Sequence, residues 1–449
     1  MSYDVIVFGA GNANDVVRMA GKAGLRVAVV EKGPLGGTCA NRGCIPSKLM
    51  IAYADRAGQV RSAGRFHIEA ELRSIDGGKI IEETFGYTRR FDKLVEDGYP
   101  EGVEVHRGHG TFVDNHTVAV NGTELRGDKI VLATGSRPRR PDIPGLQGTP
   151  YWTSDEVFEM ERLPASLTIV GGGYIGCELS HFFNGVGVET TLLVRTEHLL
   201  GREDEEACAV MQEGFTERVP TRFNVFVEAV AHEDGSFLLT LSDGSEHTSE
   251  ALLFAIGRIP NSDQIAIENT DLKPNAHGYV ESDDHLRTSV PHIYSLGDVA
   301  GRYFFTHTSS FEAAYLGRQI VEGLDEPIDY GPVGHAIFTS PEIAGVGATE
   351  QELKERGEDY VAASVPYSSY TKGRALKEEH GLFKLILDRE GKILGCHVVG
   401  HEASVLLHEV LPVMKWRNHV SSITDVIHVH PSLPEIVRGA AGKAAALLK

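Results

Sequence analysis

The chain has 449 residues, 43 basic and 63 acidic, giving a net charge of −20 with 41% hydrophobic residues. That charge argues against nucleic acid and anionic membrane surfaces as partners, and no apolar run approaches the roughly 18 residues of a membrane helix. The length suits about three domains at roughly 150 residues each, and no basic region or cleavage site precedes the first strand, so a cytoplasmic protein is expected.

The first strand is predicted over 3–8, and Gly9-Ala10-Gly11-Asn12-Ala13-Asn14 follows it. A helix over 15–23 and a second strand over 26–30 complete a β-α-β dinucleotide pattern. Gly9 makes the turn, Gly11 admits the pyrophosphate to the backbone, and Glu31, about 20 residues on, accepts from the ribose. Asn14 stands at the third glycine position, where helix and strand are expected to pack less closely. A generic strand–turn–helix is the other reading of these glycines alone.

Next comes Leu35-Gly-Gly-Thr-Cys-Ala-Asn-Arg-Gly-Cys-Ile-Pro-Ser-Lys48, with Cys39 and Cys44 five positions apart. A close cysteine pair without an export signal is more often catalytic or metal-binding than structural. No second pair of ligands lies nearby, so no zinc or other metal is expected. Pro46 suits the first turn of a helix, which puts Cys44 at a helix N-terminus where the dipole favours a thiolate. Two neighbouring buried thiols remain the alternative.

The run from Gly36 to Lys48 strongly resembles the redox-active motif of the flavin-dependent (class I) pyridine nucleotide–disulfide oxidoreductases. That family includes dihydrolipoamide dehydrogenase, glutathione reductase, mycothione reductase and mercuric reductase, and the resemblance covers essentially the whole chain. It implies an α/β fold with two Rossmann-like nucleotide-binding domains, for FAD and NAD(P), and an α+β C-terminal dimerisation domain. The expected boundaries are 1–147 (FAD, carrying the redox disulfide), 148–262 (NAD(P)), 263–330 (FAD/central) and 331–449 (dimerisation). The resemblance makes Cys39–Cys44 the redox disulfide, with Cys44 the charge-transfer thiol and Cys39 the interchange thiol. It puts Lys48 beside the reactive edge of the flavin, and gives Gly9, Gly11, Asn14, Glu31 and Thr38 to FAD.

Residues 49–102 read as largely helical, with an irregular charged stretch over 73–90. Strands are predicted over 103–105, 117–120 and 129–132; the last closes in Ala133-Thr134-Gly135, which resembles the family strand ending against the FAD adenine. Pro138, Pro141 and Pro144 form a stiff link. A strand over 166–170 then leads into Gly171, Gly173 and Gly176, the full glycine pattern and a second dinucleotide site. Glu178 is an ordinary helix glutamate or, by the resemblance, the partner of Lys48; Tyr174 resembles an aromatic lid over the flavin. The strand over 191–194 ends in Arg195 rather than an acid. A carboxylate there would accept from a 2′-hydroxyl, whereas a guanidinium suits a 2′-phosphate. Arg202 is one step out of place for the second arginine of NADP-dependent relatives, and both arginines can also be read as solvated. A strand at 251–254 leads to Gly257.

Residues 292–300 resemble the second FAD fingerprint, with Asp298 on the ribityl chain. A helix starting at 305–308 would lie beside the flavin ring, and His307 is given a packing role. Strands over 336–338, 360–365, 382–387 and 393–399, with helices over 403–420 and 422–427, resemble the dimerisation domain. In His428-Val-His-Pro-Ser-Leu-Pro-Glu435, His430 resembles the base that reaches into the partner subunit's disulfide site, with Glu435 orienting it; a histidine with an acid partner takes a thiol proton near neutral pH. His428 is the other candidate. No cysteine pair lies near the end of the sequence, which speaks against mercuric reductase and the larger thioredoxin reductases.

The resemblance therefore implies a homodimeric flavoenzyme with shared active sites, exchanging two electrons between NAD(P)(H) and a thiol or disulfide. Dihydrolipoamide dehydrogenase acting on a lipoyl-carrying protein is the first expectation. An NADPH-dependent reductase of a small disulfide, like mycothione reductase, is the second, favoured by Asn14, Arg195 and Pro434. A redox-sensing flavoprotein without turnover is the reading of another class; the intact Cys39, Cys44, His430 and Glu435 argue against it.

Overall fold

The computed structural model describes residues 1–448. Its first sheet is built on β-branched runs buried on both faces, as in parallel α/β cores. The order is Val103–Arg107, Val27–Glu31, Ser2–Phe8, Thr123–Leu132, Thr117–Val120 and Gly110–Asp114. Ile293–Ser295 returns from far along the chain to pair in parallel with Thr123–Leu132. Phe8 lies opposite both Val30 and Leu132. The strands therefore end together at Gly9 and Ala133, the sheet edge where ligands of such folds bind. Helices Asn14–Lys22 and Thr306–Glu322 pack together, sharing the core around Val16, Val17, Ala313 and Leu316.

The second unit repeats the plan. Ser166–Val170 lies between Glu189–Leu193 and Ala251–Phe254 in a parallel sheet, with an antiparallel sheet of Val227–Glu233, Ser236–Leu241 and Glu246–Ser249 beside it. The third is a five-stranded antiparallel sheet, ordered Gly334–Ile337, Ile343–Gly347, Ile393–Val399, Leu382–Leu387 and Val361–Pro366. Helix Glu435–Ala446 packs on it through Ile436, Val437, Ala440, Ala441 and Ala444. No helix among the described residues is long and apolar enough to cross a membrane.

Several expectations are corrected. The stretch 73–90 is not irregular throughout: Gly77–Thr88 is a helix capped by the Asp76 carboxylate, which accepts from the Lys79 amide. Its charged residues face out, while Ile80, Ile81, Thr84, Phe85 and Thr88 form a buried face at helical spacing. The single helix expected over 403–420 is two, Ala403–Leu407 and Leu411–Trp416. Pro412 has no N–H to continue the first and starts the second. The helix over 422–427 shrinks to Ser421–Thr424, and Val426 and Ile427 are left exposed. Helices Glu205–Thr216 and Glu435–Ala446 and the antiparallel sheet over 227–249 were not anticipated.

Candidate functional site

A cavity of about 1600 Å³ opens where the strand ends of the first sheet meet the second unit and the C-terminal sheet. It exceeds the usual size of a drug-sized pocket. Glu31 sits on its wall with both oxygens engaged, one accepting from the Ala10 amide at 2.8 Å, the other from the Gly33 amide at 2.7 Å. Gly11, Thr38, Thr134 and Gly135 line it as well. A Cβ on Gly37 would come within 2.6 Å of the Gly11 Cα, so the turns meet this closely only with a glycine at 37. Thr134 Oγ1 is buried without a partner, a polar atom awaiting one. Asp298, also on the wall, accepts from Ser136 and lies 3.9 Å from Arg258. Gly9 makes the turn before this wall, and Asn14 is the first residue of its helix. The Asn14 amide donates to the Gly11 carbonyl at 2.7 Å and accepts from the Tyr99 hydroxyl at 2.6 Å, tying down a turn that a third glycine would have packed closely. These donors, the acid and the spare hydroxyl fit a dinucleotide such as FAD.

Cys39 and Cys44 face the same cavity. Cys39 is on the short helix Gly37–Arg42; Cys44 opens the helix Cys44–Arg61, with Pro46 in its first turn. The Cys44 sulfur lies 3.6 Å from Thr306 Oγ1, at the start of the helix Thr306–Glu322. Its thiol is lowered to about 6, chiefly by the hydrogen bond from Cys39, against burial, which raises it, and with further lowering by Thr306 and the Lys48 charge. The same hydrogen bond and burial push the Cys39 thiol far up. The two opposite shifts favour the thiolate at Cys44 over that at Cys39. Lys48 Nζ donates to both oxygens of Glu178 at 2.7 and 2.6 Å and sits over the Phe338 ring. The Phe338 amide gives Glu178 a third hydrogen bond at 3.0 Å. Such a pair, with both carboxylate oxygens engaged and Glu178 buried, is held rigidly.

The second glycine turn is tighter than the first. A Cβ on Gly176 would lie 1.8 Å from the Gly171 carbonyl oxygen. Gly173 is the last residue before the helix Tyr174–Gly185, and beside Gly257 there is open space. Tyr174 turns onto the cavity wall. Arg195 and Arg202 are exposed and do not line the cavity. Arg195 follows the strand Glu189–Leu193, lies over the Phe226 ring at 5.9 Å, and has no carboxylate partner among the described residues.

His430 and Glu435 are not on the cavity wall of this chain. They lie at the surface of the C-terminal unit, where His430 Nδ1 is 2.8 Å from Glu435 Oε1. The Ser432 amide donates to the other oxygen at 3.1 Å. Glu435 is held below the usual carboxylate range by the His430 hydrogen bond and then by the Ser432 amide. The His430 side chain is 73% exposed, and Val426, Ile427, Val429 and Trp416 nearby in sequence are also exposed. His428 bonds only to the Val426 carbonyl. Thr306, Phe338, Glu203 and His335 were missed in the sequence. Only Thr306 carried a signal, as the residue that starts a helix expected beside the site.

Residues 3–314 match the pyridine nucleotide-disulphide oxidoreductase family and residues 333–441 its dimerisation domain. Mycothione reductase of Mycobacterium tuberculosis is 31% identical over 463 residues, covering 98% of each chain. Dihydrolipoyl dehydrogenase of Geobacillus stearothermophilus is 32% identical over 451 residues, 98% of this chain and 95% of that one. The HOCl-induced flavoprotein disulfide reductase RclA from Escherichia coli superposes with a TM-score of 0.88 at 27% identity, over 100% of both chains. The chain belongs to the class I pyridine nucleotide–disulphide oxidoreductases, FAD-dependent enzymes with NAD(P)H as electron donor.

Proposed function

We propose that the protein exchanges two electrons between a nicotinamide and a thiol or disulfide substrate through Cys39 and Cys44, in a homodimer whose sites are shared between subunits. The observation that carries this reading is the placement of Cys39 and Cys44 on the cavity wall, with Thr306 at the Cys44 sulfur and the Lys48–Glu178 pair beside them. Bound FAD supplies the two-electron relay between nicotinamide and the cysteines. Gly11, Glu31, Thr134 and Asp298 would hold it, and Gly171, Gly173 and Gly176 would hold the nicotinamide dinucleotide.

The sulfur chemistry follows from a thiolate at Cys44. In the reducing direction Cys39 loses its proton, attacks one sulfur of the substrate disulfide, and that S–S bond breaks as the other sulfur leaves as a thiolate. The thiolate of Cys44 then attacks Cys39, re-forming the Cys39–Cys44 bond and expelling the second substrate sulfur. Each leaving thiolate needs a proton. His430 of the second subunit, oriented by Glu435, gives and takes it.

Two substrate classes fit this scheme, a dihydrolipoyl group carried on a protein and a low-molecular-weight disulfide. Arg195 favours the second. Its guanidinium stands at a strand end with an aromatic ring and no acid beside it, the surroundings that suit a 2′-phosphate. Turnover of the purified protein with lipoamide and with small-thiol disulfides, against NAD(H) and NADP(H) in parallel, tests both. Preference for lipoamide with NAD(H) would establish the lipoyl reading; absence of turnover with every disulfide would refute the enzyme.

A further inference from the structure

Across the C-terminal sheet, one residue from each of the five strands stands opposite the next: His335, Gly345, His397, Lys384 and Ser364. They share a face. Against this row lies the segment 203–206 of the nucleotide-binding unit. His335 Nε2 is 2.7 Å from Glu203 Oε2. Lys384 donates to Asp204 at 2.9 and 3.0 Å and lies 3.2 Å from Glu206. Ser364 donates to Glu206 at 2.7 Å. Gln351 donates to the Glu203 carbonyl at 2.7 Å.

Glu203 is 3% exposed, and its free oxygen accepts the Tyr174 hydroxyl. The Tyr174 ring also runs nearly parallel to His335, 12° between planes and 6.2 Å between centroids, and to Phe305 at 6.4 Å. Burial would raise the Glu203 carboxyl, but the bond and charge of His335, with the Tyr174 hydroxyl, hold it below its usual range. It is therefore a buried anion with both oxygens used. Such a group is costly to leave unpaired.

We propose that Glu203, fixed by His335, is a latch on Tyr174: a positioning residue that sets how often the nicotinamide side of the cavity is open. The inference rests on the reading of Tyr174 as the residue covering that side. The anchor belongs to the C-terminal sheet, so Tyr174 cannot carry it along when it swings. Opening strips one oxygen of a buried carboxylate of its donor, and the closed form is favoured by that cost. Nicotinamide binds only the open fraction, so its apparent affinity is reduced by that fraction.

The test is the dissociation constant of NAD⁺ and NADP⁺ for the FAD-loaded dimer, read by calorimetry with no disulfide present. Tyr174→Phe removes the bond and should tighten binding about tenfold, the size of one charge-assisted hydrogen bond; Glu203→Gln keeps a neutral acceptor and should tighten it about threefold. The double variant should bind no more tightly than Tyr174→Phe alone, because both act on the same contact. His335→Gln leaves the carboxylate in place but loosens it, and should tighten binding about threefold by the same scale. It carries the test if Glu203→Gln does not assemble. Unchanged or weaker binding in these variants, or additive effects in the double variant, overturns the latch. A wild type that binds neither nicotinamide overturns the reading of Tyr174 and the latch with it. Absence of disulfide turnover alone would count against the proposed enzyme and leave this measurement standing.

Discussion

The Cys39–Cys44 site and the His430–Glu435 site differ in how far one chain completes them. The cysteines have their whole setting within the chain: Thr306 at 3.6 Å, Lys48 on Glu178, and a cavity wall built from all three units. His430 has its orienting acid and nothing to act on. It is 73% exposed on its side chain, while Ile427 is 97% and Trp416 81% exposed. Large apolar side chains exposed within one stretch of sequence suit an interface, and residues 333–441 match a dimerisation domain. On the proposed function, the difference separates charge storage, set within one chain, from proton delivery, which would depend on assembly.

The largest effect should come from the complete half. Cys44→Ser should lower disulfide turnover by about a thousandfold or more, as when a covalent participant is removed, with FAD still bound. Steady-state rates and the visible flavin spectrum check this. Substantial remaining turnover would mean that Cys44 does not carry the charge.

The assembling half should respond to its surface. Ile427→Glu places a charge on the exposed apolar face and should weaken dimerisation by roughly a hundredfold. Disulfide turnover should fall with the dimer fraction seen by sedimentation, while alkylation of the reduced cysteines is unaffected. Turnover that survives in the monomer would erase the distinction between the two halves.

How much of this was readable in the sequence follows the same division. The glycine turns and the cysteine motif sit in short contiguous stretches whose chemistry is local. The roles of Lys48, Glu178 and His430 were reached only through resemblance: Lys48 and Glu178 meet 130 positions apart, and the group His430 would act on is not near it in the sequence. The Tyr174–Glu203–His335 contact was invisible. It joins residues 29 and 132 positions apart across two units, and nothing near Glu203 in the sequence marks it as buried. The helix Gly77–Thr88 was hidden by its charged outer face, and the break at Pro412 by the apolar pattern around it.

A smaller effect concerns the outermost part of the nucleotide site. Arg195→Ala should lower kcat/KM for NADPH by about tenfold to hundredfold, the value of a charge-assisted contact, and leave NADH nearly unchanged. A wild-type preference for NADH, unaltered by the substitution, would remove the argument for a 2′-phosphate and favour the lipoyl substrate.

The finest test of the complete half is its pH dependence. With Cys44 lowered to about 6 rather than the ordinary thiol value of 9.0, the thiolate persists above pH 6 and is lost below it. Iodoacetamide should therefore modify the reduced enzyme at a rate half-maximal near pH 6, and near pH 9 if the pair were ordinary.

The central claim, that proton delivery comes from the other subunit, is tested most directly by mixing two inactive variants. Cys39→Ser subunits keep His430, and His430→Ala subunits keep the cysteines. After dissociation and random reassociation about half the dimers are mixed, each with one complete site of two, so about a quarter of wild-type turnover should return. Mixed dimers demonstrated by mass and still inactive would contradict the account, because His430 would then serve its own chain or none.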